Sequence, residues 1–139
     1  MPSEQQLFDE LSFYTLAHGD PAFIHENSAD AWRAQHVDET SKPMAVIFAV
    51  MGLYLYLEKN FTGRQVQLAH MRMARHRKEW PRLPLPTREA RLTVADVVGA
   101  EPGPQRDAMI REWCAAVWEI WQESRGPIVA LARTELGVE

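Results

Sequence analysis

The chain has 139 residues, 46% of them hydrophobic and 24% charged, with a net charge of −4. Those values suit one globular domain, residues 1–139, with enough length for a real core. The single cysteine, Cys114, excludes an internal disulfide and any multi-cysteine zinc site within one chain, and because Glu4, Asp9 and Glu10 interrupt the first apolar residues, no signal peptide and a cytoplasmic home are expected.

In chain order, Ser3 and Gln6 make a capping box, and Leu7, Leu11 and Tyr14 repeat at helical spacing, so a first helix runs to about Ala17. Gly19 stops it. Asp20-Pro21 is an N-cap followed by a first helical residue, which opens a second helix over about 21–36. At ~100° per residue, Ile24, Ser28, Ala31 and Gln35 share one face and His25, Ala29, Trp32 and His36 the adjoining one. That is an unusually polar inward surface. Asp30 lies nearly opposite His25, so one of the two is expected to face solvent.

Met44 to Leu57 carries no charge and no amide. It is too short for a bilayer, which needs ~20 apolar residues. A helix apolar on every side is buried on every side, so a central helix is expected at about 43–59, with Ser41 as its cap and Pro43 in its first turn. Gly52 inside it costs ~1 kcal/mol relative to alanine, which points to a close approach by a neighbouring helix. Tyr54 and Tyr56 project to different sides and are candidates to line an internal polar pocket.

Thr62 and Gln65 make a second capping box before a basic helix over about 63–78, with Val66, Ala69, His70 and Met73 as its buried stripe. Residues 64–91 hold eight bases against two acids, net +6, between flanks of net −6 and −4. Trp80 to Pro86 is a proline-rich strap pinned by Trp80, Leu83 and Leu85. Thr93 and Asp96 cap a short helix to Val98. Pro104 opens a tryptophan-rich helix to about Ser124, with Ile110, Trp113, Cys114, Val117 and Trp121 inward and Trp118 pointing away. Gly126-Pro127 breaks the chain before a short last helix, 128–136.

The histidines are His18, His25, His36, His70 and His76, and none pairs as H-x-x-x-H. His25 and His36 share a face but stand ~16 Å apart along the axis, so one metal cannot bind both. A metal site needs ligands from different helices, for example His25 or His36 with His70 and a carboxylate. No glycine-rich phosphate loop and no G-x-S-x-G elbow exists, and Cys114 in an apolar stripe is expected to be inert.

His25, Asp30-Ala31, Gln35 and His36 read H-x4-D-A-x3-Q-H. The apolar helix ending Leu-Tyr-Leu-Glu at 55–58 follows, then Thr93 to Val97 and Trp113 to Trp118. This succession resembles an uncharacterised bacterial family, a domain of unknown function. The resemblance implies a cysteine pair near the N-terminus and a histidine early in the central helix; neither is here, the helix having Ile47 and Phe48, and if those groups hold a metal in the relatives this chain is expected to bind one poorly. It supplies no activity, cofactor or reaction, but directs attention to His25, Asp30, Gln35 and His36.

The expected fold is all-α, a bundle of five or six helices around the central one. The leading functional expectation is a polar pocket for a metal or small ligand on the second helix, with His25, Asp30, Gln35, His36, His70 and Tyr54 as its residues. The alternatives are a homodimeric interaction module using helix 104–124, and nucleic-acid binding through helix 63–78, which the acidic flanks disfavour. A catalytic role and a cofactor are not readable.

Overall fold

The computed structural model describes residues 1–17 and 19–139; His18 lies outside them. The described residues form seven α-helices and no strand: α1 Glu4–Ala17, α2 Ile24–Gln35, α3 Pro43–Glu58, α4 Gly63–His76, α5 Val94–Val98, α6 Pro104–Ile120 and α7 Arg125–Leu131. A 3-10 turn, Gln122–Ser124, precedes α7, and a π turn, Ala132–Leu136, follows it. None of these helices is long and apolar enough to cross a membrane.

Local chemistry sets most of the boundaries. Ser3 and Gln6 exchange hydrogen bonds of 2.8 and 3.1 Å at the start of α1. Thr62 and Gln65 do the same for α4, and Asp96 accepts the Thr93 N–H at 2.8 Å before α5. Each box satisfies amide N–H groups that have no partner inside the helix. Ser41 does not cap α3: its hydroxyl accepts from the Asp38 amide within the loop, and Lys42 stands at the cap.

α2 begins three residues later than the Asp-Pro signal implies. The Asp20 carboxylate accepts from the amides of Ala22 and Ile24, both at 2.9 Å, and closes a turn instead. Phe23 then adopts a left-handed conformation, φ 59°. The turn is stitched to α4, whose Arg64 N–H donates to the Ala22 carbonyl at 2.9 Å. Gly63 permits that approach, because a Cβ there would overlap the Phe23 carbonyl.

α3 is buried along its middle from Val46 to Leu55, with Phe48 half-covered, as an all-apolar helix must be. It shares the centre with α2, which packs against α1, α3, α4 and α6. That double role corrects the inward face of α2. Its buried residues are Asn27, Ser28, Asp30, Ala31 and Ala34, while His25 and Trp32 are half-buried and His36 is exposed. Asp30 is only 2% exposed, so neither it nor His25 points freely into solvent.

α6 supplies the opposite wall with Ile110, Trp113, Cys114 and Val117. The expected break at Gly126-Pro127 is absent. The 3-10 turn makes the break, and Pro127 sits in the first turn of α7, where a missing N–H costs nothing. Trp118, expected to be exposed, is 7% exposed. Its indole N–H donates to Glu58 at 2.8 Å, and the guanidinium of Arg125 clamps the same carboxylate. Folding α7 back over α3 closes what α6 alone would leave open. In the strap, Trp80 and Leu83 are buried and Leu85 is exposed.

Arg125, followed by the Trp118 hydrogen bond, holds the Glu58 carboxyl below its ordinary range. A depressed folded pKa contributes stability above the ordinary glutamate range, and that contribution disappears as pH falls through the lowered value. Glu58→Gln is therefore expected to cost about 0.5–1 kcal/mol at neutral pH. The gap between variant and wild type should shrink toward zero near pH 3 in paired urea titrations.

Candidate metal centre

Three ionisable side chains converge in the groove where α2 meets α3 and α4. Glu26 and Asp30 are one turn apart on α2, the i,i+4 spacing that puts both carboxyls on one side. His70 comes from α4. One potential ligand atom from each lies within 4.8 Å of the others, with His70 Nδ1 at 3.7 Å from Glu26 Oε2.

Gly52 makes the site. A Cβ on Gly52 would stand 2.7 Å from Asp30 Cγ, closer still to Oδ2, and 3.2 Å from Val66 Cγ1. Only glycine leaves room for the carboxyl between the helices. The expected close approach at Gly52 thus exists, and it comes from a side chain. Asp30 Oδ2 is fully buried and has no hydrogen-bond partner. Burial, then the charge of the neighbouring Glu26 carboxylate and a hydrogen bond with it, push the Asp30 carboxyl well above its ordinary range. A buried acid left in this condition is costly, and such acids concentrate at functional sites.

His70 is held in one tautomer. Its Nε2 lies 2.7 Å from the Phe48 carbonyl oxygen, which can only accept, so Nε2 carries the proton. In the neutral ring Nδ1 then offers its lone pair toward the two carboxyls. Burial lowers the His70 pKa, against the pull of Glu26, which favours that neutral ring. The Phe48 ring lies alongside, 5.1 Å between centroids, and fixes the imidazole plane. Metal-bound histidines are oriented in this way, by donating the second N–H to a carbonyl or carboxylate.

The other expected residues do not join the cluster. His25 Nδ1 is 3.0 Å from the Thr15 hydroxyl, against α1. His36 has both ring nitrogens committed, to the Trp32 carbonyl at 2.8 Å and to Glu4 at 3.0 Å, and its ring lies on Trp32. Gln35 is a structural bridge: its amide donates to the Leu92 carbonyl and accepts from the Trp113 indole, both at 2.8 Å. Tyr54 is buried beside Trp118. His76 ends α4 exposed. Of the six residues expected from sequence, the structure brings together Asp30 and His70. Glu26, which completes the set, was missed; its i,i+4 spacing to Asp30 was the available signal.

Cys114 contributes no thiolate. Burial and then Asp30 push its pKa far up, and its Sγ–H donates to the Asn27 carbonyl at 3.4 Å.

The model of one family, described as a family of unknown function (DUF5946), matches residues 4–122. No curated protein and no solved structure matches the chain.

Proposed function

We propose, from the premise that this chain belongs to the family of unknown function DUF5946, that it binds a divalent transition-metal ion through Glu26, Asp30 and His70. The observation that carries this reading is the buried Asp30 carboxyl, its Oδ2 unpartnered against Gly52, with a ligand atom within 4.8 Å of one from Glu26 and one from the fixed His70 imidazole. A cation would remove the cost of burying that acid and satisfy all three groups together. Ligands ~2.1 Å from one ion stand ~3–4 Å apart, and the three candidate ligand atoms lie within 4.8 Å of one another.

Two oxygens and one nitrogen suit Mn²⁺, Fe²⁺ or Zn²⁺, and the absence of a thiolate argues against Cu⁺. Three protein ligands leave coordination positions for water or a ligand oxygen, as catalytic sites do and closed structural sites do not. The Arg33 guanidinium, on the same helix, acts electrostatically on both Asp30 and His70. The reading supplies a small helical metal-binding protein and names no reaction.

The two alternatives carry less support. Trp118 offers no apolar face for a homodimer, since Glu58 and Arg125 cover it. In the basic helix Arg72 reaches the Leu136 carbonyl, and Arg77 reaches Glu135 beyond its end, so part of the charge is spent within the fold.

The test is thermal unfolding of chelator-treated protein with Mn²⁺, Fe²⁺, Zn²⁺ or Mg²⁺ added. Binding only the folded state at 100-fold over Kd adds ~2.7 kcal/mol, so a rise of about 8–12 °C is expected with at least one transition metal. No shift with any of them removes the proposal.

A further inference from the structure

A second site lies apart from the metal ligands, and it does not depend on them. A cleft of about 590 Å³ opens between the 19–24 turn, the 60–63 loop and α6. None of Glu26, Asp30 and His70 lines it. Its walls are largely apolar, with Ile24 and Phe61 among them, and its size falls in the range of small-molecule sites.

Its polar groups are unevenly engaged. The Asp20 carboxylate is used by two backbone amides, and Asp107 accepts from the Tyr14 hydroxyl at 2.8 Å. Arg111 differs. Its guanidinium, on an exposed residue, rests over the Tyr56 ring, 4.9 Å from the centroid. The ring holds the planar group in place, and the Tyr56 hydroxyl engages part of its five-donor fork. Asn27, 2% exposed and also lining the cleft, has an Nδ2 with no hydrogen-bond partner. A buried amide in that condition gains from any acceptor brought to it.

A pinned guanidinium, an amide donor without an acceptor and apolar walls call for one kind of ligand. We propose that this cleft binds a small organic carboxylate with an apolar or aromatic body, its carboxylate on Arg111 and Asn27 and its body against Ile24 and Phe61. The guanidinium fork matches a carboxylate with two parallel hydrogen bonds, which a neutral group cannot reproduce.

The experiment is a titration of ¹⁵N-labelled full-length protein with phenylacetate, phenylacetamide and inorganic phosphate, followed by two-dimensional NMR. EDTA is present throughout, so the outcome is separate from the metal reading. Phenylacetate is expected to move the Asn27 side-chain amide signals and the Arg111 Nε signal. Phenylacetamide and phosphate should bind ~10-fold more weakly or not at all. Arg111→Met, checked for fold by circular dichroism and melting, should weaken phenylacetate ~10-fold. Absence of phenylacetate shifts at the cleft overturns the proposal. So does equal binding of the amide or of phosphate, or binding that Arg111→Met leaves intact. If Arg111→Met fails to fold, the comparison of acid with amide on the wild type decides.

Discussion

Gly52→Ala is expected to unfold far more easily than its chemistry suggests. On an exposed helix this change stabilises by ~1 kcal/mol. Here the new methyl would collide with the Asp30 carboxyl and press on Val66, at 2.7 Å from Asp30 Cγ and 3.2 Å from Val66 Cγ1. Asp30 cannot swing aside, because it is buried between α2 and its neighbours. Overpacking of a tight core costs ~1–3 kcal/mol and sometimes more. A net loss of about 2 kcal/mol is therefore expected, a fall in Tm of roughly 5–10 °C, with loss of any metal response. Asp30→Ala removes the obstructing group. In that background Gly52→Ala should be neutral or stabilising, a coupling readable in a double-mutant cycle of chemical melts. An equal penalty in both backgrounds would show that the carboxyl is not what Gly52 accommodates.

Asp30→Asn is expected to separate stability from binding. The amide keeps the carboxyl's shape and cannot ionise. Burial already pushes Asp30 toward its neutral form, so the substitution costs the metal-free fold little. The Asn amide can still donate to Glu26, as the neutral acid does. The variant should melt at or above the wild-type temperature without metal. Metal affinity should drop at least ~100-fold, because a neutral amide replaces an anionic ligand, and the metal-induced rise in Tm should vanish. A group kept for function at the expense of stability behaves in this way. A variant that melts several degrees lower while keeping the metal shift would mark Asp30 as a structural residue. Calorimetric titration of both proteins with the metal that gives the largest shift makes the comparison.

Much of the architecture is decided by interactions a few residues long. The apolar run from Met44 to Leu57 can be helical and buried and little else in a chain of this size. The Ser3–Gln6, Thr62–Gln65 and Thr93–Asp96 boxes form as the spacing implies, since donor and acceptor lie three residues apart. The family match over residues 4–122 is likewise a property of the amino-acid order. The candidate site was legible only in outline. Periodicity marked α2 as too polar for a helix beside an apolar core, and it placed His70 on the inward stripe of α4.

Which polar groups are sealed inside depended on partners far along the chain. Rotation about α2 could not be settled from one apolar face, because the helix packs against four others. His25 and His36 lost their candidacy to Thr15 and Glu4, residues of α1 that no spacing rule connects to them. Trp118 is closed off by Glu58 and by Arg125, which only the return of α7 over α3 brings near. The metal centre itself needs Gly52 of α3 to admit Asp30 of α2, and the Phe48 carbonyl to fix His70 of α4. Helix formation depends on neighbours within about one turn, so the amino-acid order determined it. The convergence of Glu26, Asp30 and His70 depends on how three helices pack, and close packing of whole side chains decides that only in the folded chain.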